Sequence, residues 1–382
     1  MTLEQRIAYQ ASEIALDNLR TNYRPLGILA GPKNHAEYVL RDACYASYGA
    51  CALGDFGMVR ASLDLGVRFQ KDDGQIPQRV ESRNHALNYL DIQKNYDPPV
   101  ARYKSSQPWA DITVDTSALF VISALHYVES SGDRDWLKGN FAHLEGAAEW
   151  LLRRKNGLGL IEEGWMGSWA DMIPGGGAVT STNVLTWKAL EELSRINVRW
   201  TKERDELGQN ININLWDEKS GYYVDRIRKG KAHNYFFADG NLLAVSWGLA
   251  NNERVRGVYD YIDRHSLNAI PVLACHPRLP RAMDLFVKVT HPYYHPTNRI
   301  FAWWGPWEIL ERYRLGDKEG AMRGLTALSQ VITTNETVPE VFNKQGKIVN
   351  GTIYKPERGV SWGAGMFIYM MNELEKLGAF NS

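Results

Sequence analysis

The 382-residue sequence predicts an all-α fold, an (α/α)6 toroid of six helical hairpins with short β-pieces in its loops. Three observations predict it. Apolar residues recur at helical spacing along most of the chain. Gly-Asp turns interrupt these stretches, the glycine ending one helix and the aspartate able to cap the next. No βαβ alternation and no Gly-rich dinucleotide turn intervenes; Pro174-Gly175-Gly176-Gly177 follows no strand and lacks a lysine.

The first helix is expected from about Thr2 to Asn22, with Ile7, Ala11, Ile14, Ala15 and Leu19 as its apolar stripe. Paired helices follow. Asp42 to Ala52 turns through Leu53-Gly54-Asp55 into Met58 to Gln70, and Thr116 to Glu129 turns through Ser131-Gly132-Asp133 into Trp136 to Arg154. Asn183 to Asn197 pairs with Thr201 to Leu215, and Asn241 to Ala250 with Glu253 to His265. Ile309 to Leu315 turns through Gly316-Asp317 into Glu319 to Thr333. A last helix, Trp362 to Leu377, would pair with the first and close the ring. The loose period of ~40–60 residues is that of a repeat architecture bent into a toroid. Tyr222-Tyr223-Val224, and Ile348-Val349 with Thr352-Ile353-Tyr354, are the expected β-pieces. No linker divides the chain, so residues 1–382 are read as a single domain.

Composition narrows the function. Lys+Arg and Asp+Glu both number 44, so no basic excess draws nucleic acid and no charge block suggests a disordered tail. The start lacks a secretory signal pattern, and no apolar run of about 18 residues could span a membrane. Cys44, Cys51 and Cys275 are odd in number, lack metal-type spacing and read as buried thiols, which points to a reducing, cytoplasmic setting. Thirteen tryptophans exceed what a core of this size needs; clustered with glycine, they also make flat walls on which sugar rings stack.

Two acidic motifs lie far apart. Gly164-Trp165-Met166-Gly167-Ser168-Trp169-Ala170-Asp171 ends on one carboxyl, and Val338-Pro339-Glu340-Val341-Phe342-Asn343, followed by Ser361-Trp362-Gly363-Ala364-Gly365, carries another. Two carboxyl groups brought together from distant segments are the minimum equipment for hydrolysing a glycosidic bond. Asp171, packed by indole, would be partly desolvated, raising its pKa as a general acid requires; alternatively it caps a turn. Glu340 is either a base that polarises water or a surface loop glutamate. Asp42, beside Arg41, either caps a helix or grips two sugar hydroxyls, and Asp115 carries the same ambiguity. Gln75 is a turn residue or a donor to substrate. In Trp303-Trp304-Gly305-Pro306-Trp307-Glu308 three indoles within five residues cannot all face one helix core, so at least one is expected to line a pocket. His291 and His295 flank Pro292 and make no helical metal pair.

In order along nearly the whole chain, these motifs resemble the six-hairpin (α/α)6 glycosidase superfamily, in particular the inverting enzymes grouped with amylo-α-1,6-glucosidases, neutral trehalases, neutral invertases and processing α-glucosidases. Arg41-Asp42 is similar to the Arg-Asp pair whose aspartate holds the sugar. Gln70 to Pro77 is similar to a Gln-x-x-Gly-x-Ile-Pro turn one residue shorter, and Asp115-Thr116-Ser117-Ala118-Leu119-Phe120 to the family's Asp-Thr-x-x-Leu-Phe helix start. The stretch from Asp171 to Ala189-Leu190 resembles the acid motif, Trp303 to Trp307 the sugar wall, and Glu340 with Ser361-Trp362 the base motif. Two positions depart: Glu308 stands where the wall's last tryptophan falls, and Thr182-Asn183 where many relatives carry an acid.

The resemblance implies an inverting, exo-acting, α-glucosidase-like glycoside hydrolase with Asp171 as general acid and Glu340 as general base. Arg41, Asp42, Gln75, Asp115, Trp165, Trp169, Asn183, Trp303, Trp304, Tyr354 and Trp362 are the expected substrate-binding residues. A small carbohydrate is the expected partner, with neither metal nor organic cofactor, no nucleic acid, no membrane, and room for a homo-oligomer. The lack of a starch-binding or β-sandwich domain points to a small oligosaccharide or glycoside. The second reading is a sugar epimerase of the acylglucosamine type on the same barrel. That chemistry needs paired histidines facing one pocket, and His126, His233, His291 and His295 do not occupy equivalent helix positions. The third is a non-catalytic toroid that binds a protein.

Overall fold

The computed structural model describes residues 2–82, 99–105, 110–170, 173, 175–280, 299–349 and 356–381. Among them are twelve α-helices. The odd-numbered ones are α1 (Leu3–Thr21), α3 (Phe56–Arg68), α5 (Arg134–Leu152), α7 (Thr201–Asn214), α9 (Asn252–Arg264) and α11 (Lys318–Asn335). The even-numbered ones are α2 (Leu40–Ala52), α4 (Asp115–Ser131), α6 (Thr180–Ser194), α8 (Ala238–Ser246), α10 (Gly305–Arg314) and α12 (Ser361–Lys376).

Each even-numbered helix packs on the next, and α12 packs back on α2, so the six close into an inner ring. Around it α1, α3, α5, α7 and α11 lie against their ring partners. The sequence explains the two layers. Ring helix α4 is buried from Asp115 through Leu125 without a polar face, as a helix enclosed on all sides must be. Outer helix α9 buries only Val255, Val258, Tyr259, Tyr261 and Ile262, a single stripe at helical spacing.

The ring closes where α2 meets α12 at two glycines. A Cβ on Gly49 would overlap the Gly365 carbonyl, and one on Gly365 would overlap the backbone of Ala46. Only glycine lets the two helices approach this closely.

The Gly-Asp turns act as expected at two of three sites. Gly132 takes a left-handed φ of 74° at the end of α4. Asp133 then accepts from the Trp136 amide and Asp317 from the Gly320 amide, capping α5 and α11. Asp55 makes no such cap; it accepts instead from Arg20 at 3.1 Å and the Tyr23 hydroxyl at 3.0 Å, tying α1 to α3.

The β-structure exceeds the expected Tyr222–Val224 piece. Residues Tyr222–Arg228 and Lys231–Phe237 form a hairpin, flanked by Ala178–Val179 and Cys275–His276 in one antiparallel sheet. A second sheet joins Tyr38–Val39, Arg79–Ser82 and Pro99–Arg102, and Ile300–Phe301 pairs with Val341–Phe342. Ile348 makes a single bridge to Phe342, while Thr352 to Tyr354 lie outside the described residues. Strands run directly into the N-termini of α2, α6 and α8, so this end of the ring is floored by the helix starts and walled by small sheets. All three cysteines are buried and unpaired, and burial pushes Cys44 and Cys51 up to about 12, where a thiol is inert. No described helix is long and apolar enough to cross a membrane.

Candidate active site

A hollow of about 140 Å³ opens at the N-terminal end of the ring. A cavity of roughly that size takes up one six-membered ring. Its residues come from six separate stretches of chain: His35 to Tyr45, Gln78 and Arg79, Trp169, Phe301 with Trp303, Glu340, and Trp362.

Glu340 is placed by backbone pairing on both sides. The strand that follows it, Val341–Phe342, pairs with Ile300–Phe301, which sets Glu340 opposite the Trp303 segment. Its own N–H donates to the Glu357 carbonyl at 3.1 Å, and the Glu357 N–H donates to Glu340 Oε2 at 2.8 Å. The carboxylate plane is thereby fixed, and Oε1 faces His35 Nε2 at 3.7 Å. The Glu357 carboxylate in turn accepts from the backbone amides of Lys33 at 3.2 Å and His35 at 3.0 Å, holding the loop that carries the imidazole. Burial alone would lower the His35 pKa; contact with Glu340 and the fields of Glu357 and Asp42 outweigh it and raise it to about 9.

Arg41 and Asp42 lie in the first turn of α2, which starts at Leu40 directly after Val39 ends its strand of the three-stranded sheet. Arg41 Nη1 donates to Asp115 Oδ2 at 3.1 Å and its Nε lies 3.7 Å from Asp42 Oδ1, so one guanidinium links two carboxylates. Burial pushes Asp42 up to about 6, against the pull of Arg41 and His35.

Trp169, Trp303 and Trp362 are the indoles of the hollow. Trp169 Nε1 donates to Asp239 Oδ2 at 2.5 Å, and its ring meets those of Trp303, Trp304 and Phe301 edge-on at 5.9, 5.1 and 5.6 Å. Trp303 packs on Tyr45 at 4.5 Å, and Trp362 stands edge-on to His35 at 6.1 Å.

The structure thus gathers Arg41, Asp42, Trp169, Trp303, Trp362 and Glu340 into one place. Asp171 and Tyr354 lie outside the described residues, as do His291 and His295. Asp115 sits behind Arg41 rather than on the surface of the hollow. Gln75 is buried in its turn, accepting from Lys71 Nζ at 2.9 Å, and it is Gln78 that reaches the hollow. Trp165 is 38% exposed, with the Arg228 guanidinium over its ring, and does not line the hollow. Asn183 and Trp304 are corrected to structural positions. The Asn183 amide is consumed by the backbone of Ile161 and Val179, and Trp304 is fully buried with its Nε1 donating to the Val272 carbonyl.

Sequence reasoning missed His35, Glu37, Val39, Tyr45, Gln78, Arg79 and Phe301 in the lining, and two buried acids outside it, Asp239, which accepts from the lining Trp169, and Glu163. The signal existed only for Gln78 and Arg79, which directly follow the Ile76-Pro77 turn. Arg79 is held between Glu37 at 3.2 Å and Glu81 at 2.9 Å. Glu163 is the buried acid near Thr182, whose hydroxyl donates to it at 2.7 Å; burial raises it to about 7. Among the described residues no group of three or more His, Cys, Asp or Glu side chains is arranged to hold a metal.

A closed helical ring with a polar, indole-walled hollow at the N-terminal ends of its inner helices is a six-hairpin (α/α)6 barrel. The GH63 mannosylglycerate hydrolase from Thermus thermophilus, solved in complex with Tris, is similar at a TM-score of 0.69 and 13% identity, over 94% of this chain and 99% of that one. The rhamnosidase from Klebsiella oxytoca with rhamnose bound is similar at a TM-score of 0.68 and 14% identity, over 98% of this chain and 64% of that one. In sequence, 213 residues are 25% identical to the N,N'-diacetylchitobiose phosphorylase of Vibrio proteolyticus, which is 50% of this chain and 26% of that protein. The matched stretch thus spans about a quarter of that curated relative. No protein-family model matches the chain.

Proposed function

We propose that this chain is an inverting, exo-acting glycoside hydrolase, α-glucosidase-like, that acts on a small oligosaccharide or glycoside, with residues 1–382 as one catalytic domain. The observation that carries the reading is convergence: Glu340, the Arg41–Asp42 pair and the indoles of Trp169, Trp303 and Trp362 meet around a hollow of about 140 Å³. The indoles supply faces for a sugar's C–H surface and Asp42 accepts from its hydroxyls. A pocket for one ring suits removal of a terminal residue rather than cleavage inside a polymer.

Asp171, two residues beyond Trp169, is assigned as the general acid. It gives its proton to the leaving glycosidic oxygen as the bond to the anomeric carbon breaks. Glu340 as carboxylate takes a proton from the water whose oxygen forms the new bond on the opposite face. The step ends with Glu340 protonated and Asp171 ionised, and exchange with solvent restores both. A separation of ~6.5–9.5 Å between the carboxyls leaves room for that water.

A second reading is phosphorolysis, favoured by the match to the chitobiose phosphorylase. Phosphate would then replace water. Against it, the cations that line the hollow among the described residues are already engaged, Arg79 by Glu37 and Glu81, Arg41 by Asp42 and Asp115, and His35 by Glu340. The epimerase reading needs two histidines in one pocket. Among the described residues only His35 lines the hollow, while His233 lies on the 231–237 strand and His126 faces another cavity.

A screen of disaccharides and glycosyl-glycerates, run with and without inorganic phosphate, tests the assignment. Free sugar released equally in both supports hydrolysis. A glycosyl phosphate formed only with phosphate replaces it with the second reading.

A further inference from the structure

A second cavity, of about 150 Å³, lies at the opposite mouth of the ring. Every ring helix contributes to it from beyond its first turn: Tyr48 of α2, His126 of α4, Lys188 of α6, Ser246 of α8, Arg314 of α10 and Tyr369 of α12. We propose that it is a second binding site, distinct from the catalytic hollow, for a small neutral polyhydroxylated ligand such as a free sugar or polyol.

The walls are aromatic. Tyr48 stacks on His126 at 4.5 Å and 24°, Tyr369 meets Tyr48 edge-on at 5.0 Å, and Trp307 meets Trp247 at 5.9 Å. Such rings offer faces to a ligand's C–H groups.

The polar groups balance in charge. Glu129 and Glu192 oppose Lys188 and Arg314, and burial lowers the His126 pKa, so that its ring is neutral at physiological pH. The tyrosines Tyr48 and Tyr369 are pushed up and stay neutral. Lys188 already pairs with Glu191 and Glu192, each at 2.7 Å, and Arg314 with Glu311 at 2.6 Å and Glu373 at 3.3 Å. A cavity with no net charge and paired cations has no field for phosphate or a metal ion. It offers carboxylate acceptors and cationic donors side by side, the pattern that serves hydroxyl groups, which both donate and accept.

Two donors there are unused. The Trp307 indole N–H and the Ser246 hydroxyl, both on residues that line the cavity, are buried with no hydrogen-bond partner among the described residues. Buried polar groups in native proteins are normally paired, so an unpaired pair on one cavity points to a ligand that completes them. The two sites are separate. Tyr45 and Tyr48 sit about one turn of α2 apart, and Trp303, just before α10, is four residues from Trp307, so aromatic side chains from the same two segments line the hollow on one side and the cavity on the other.

The test is binding, so its outcome is independent of whether the hollow hydrolyses anything. The full chain carrying Trp362→Ala, which impairs the hollow, is titrated with D-glucose, D-mannose and glycerol by ligand-observed NMR, with inorganic phosphate as a charged competitor. At least one neutral probe is expected to bind. Adding Glu129→Gln and Glu192→Gln should weaken it at least ~10-fold, and phosphate should not displace it. Trp247→Ala, which removes one wall, gives the same answer if the carboxamide pair folds poorly. No binding by any probe, binding indifferent to these substitutions, or displacement by phosphate overturns the proposal.

Discussion

The imidazole of His35 faces the carboxylate of Glu340, Nε2 to Oε1, at 3.7 Å. The pair brings together a turn before the first ring helix and a segment about 300 residues later, across the seam where α2 meets α12. With its pKa raised to about 9 against burial, His35 stays cationic through neutral pH, opposite the group assigned to activate water.

That elevation has a stability consequence of definite sign. A histidine raised in the folded state contributes stability that is fully present below its unfolded value and is lost as pH rises through its folded value. Wild type should therefore exceed His35→Gln in unfolding free energy near pH ~6, and the gap should vanish above about 9. Urea denaturation of both proteins across that range checks it.

Glu340→Gln and Asp171→Asn should each lower kcat by ~10²–10⁴ with the fold intact, as expected for groups that move protons in the transition state. Asp171→Asn should leave the melting temperature unchanged, whereas Glu340→Gln, which removes the partner of His35, should lower it below pH about 9. Steady-state kinetics beside thermal melts of the same samples measure both quantities. Loss of activity together with loss of fold would assign these residues to structure instead.

Arg41 is buried between Asp42 and Asp115. Arg41→Met would leave two uncompensated carboxyls inside the protein and should destabilise it by ~3–5 kcal/mol. Asp42 has a slope of the same sign as His35, in a more acidic window. Its pKa is raised to about 6 by burial, so it withdraws stability as pH rises from the unfolded carboxyl value through about 6. Asp42→Asn should remove that slope from the stability profile while weakening sugar binding.

The twelve helices were legible because helical burial writes itself into local spacing, and ring closure was legible from pairing the last helix with the first. Side-chain fate was less so. Trp303 and Trp304 are neighbours in sequence, yet one lines the hollow and the other is sealed in the core on the Val272 carbonyl. Asn183 resembled a substrate contact, but its amide serves two backbone segments. His35 and Glu37 reach the site through a turn with no periodic pattern, and only the fold brings them beside Glu340. Spacing reports which face a residue occupies, whereas membership in a site depends on contacts between segments hundreds of residues apart.

The seam itself can be tested. Gly49→Ala would drive a methyl into the Gly365 carbonyl, and overpacking of this kind typically destabilises by ~1–3 kcal/mol or more. Gly57→Ala, on outer helix α3 with open space around it, serves as the control and should be neutral or slightly stabilising. Comparing the melting temperatures of the two variants separates tight helix contact from a general effect of alanine.

The most direct test of the central claim, that carboxyls from two distant segments work across one hollow, is the configuration of the sugar at the moment of release. Proton NMR of the anomeric signal during the first turnovers, before mutarotation, reads it. The account predicts a first product of inverted configuration; a first product that keeps the configuration of the substrate would contradict it.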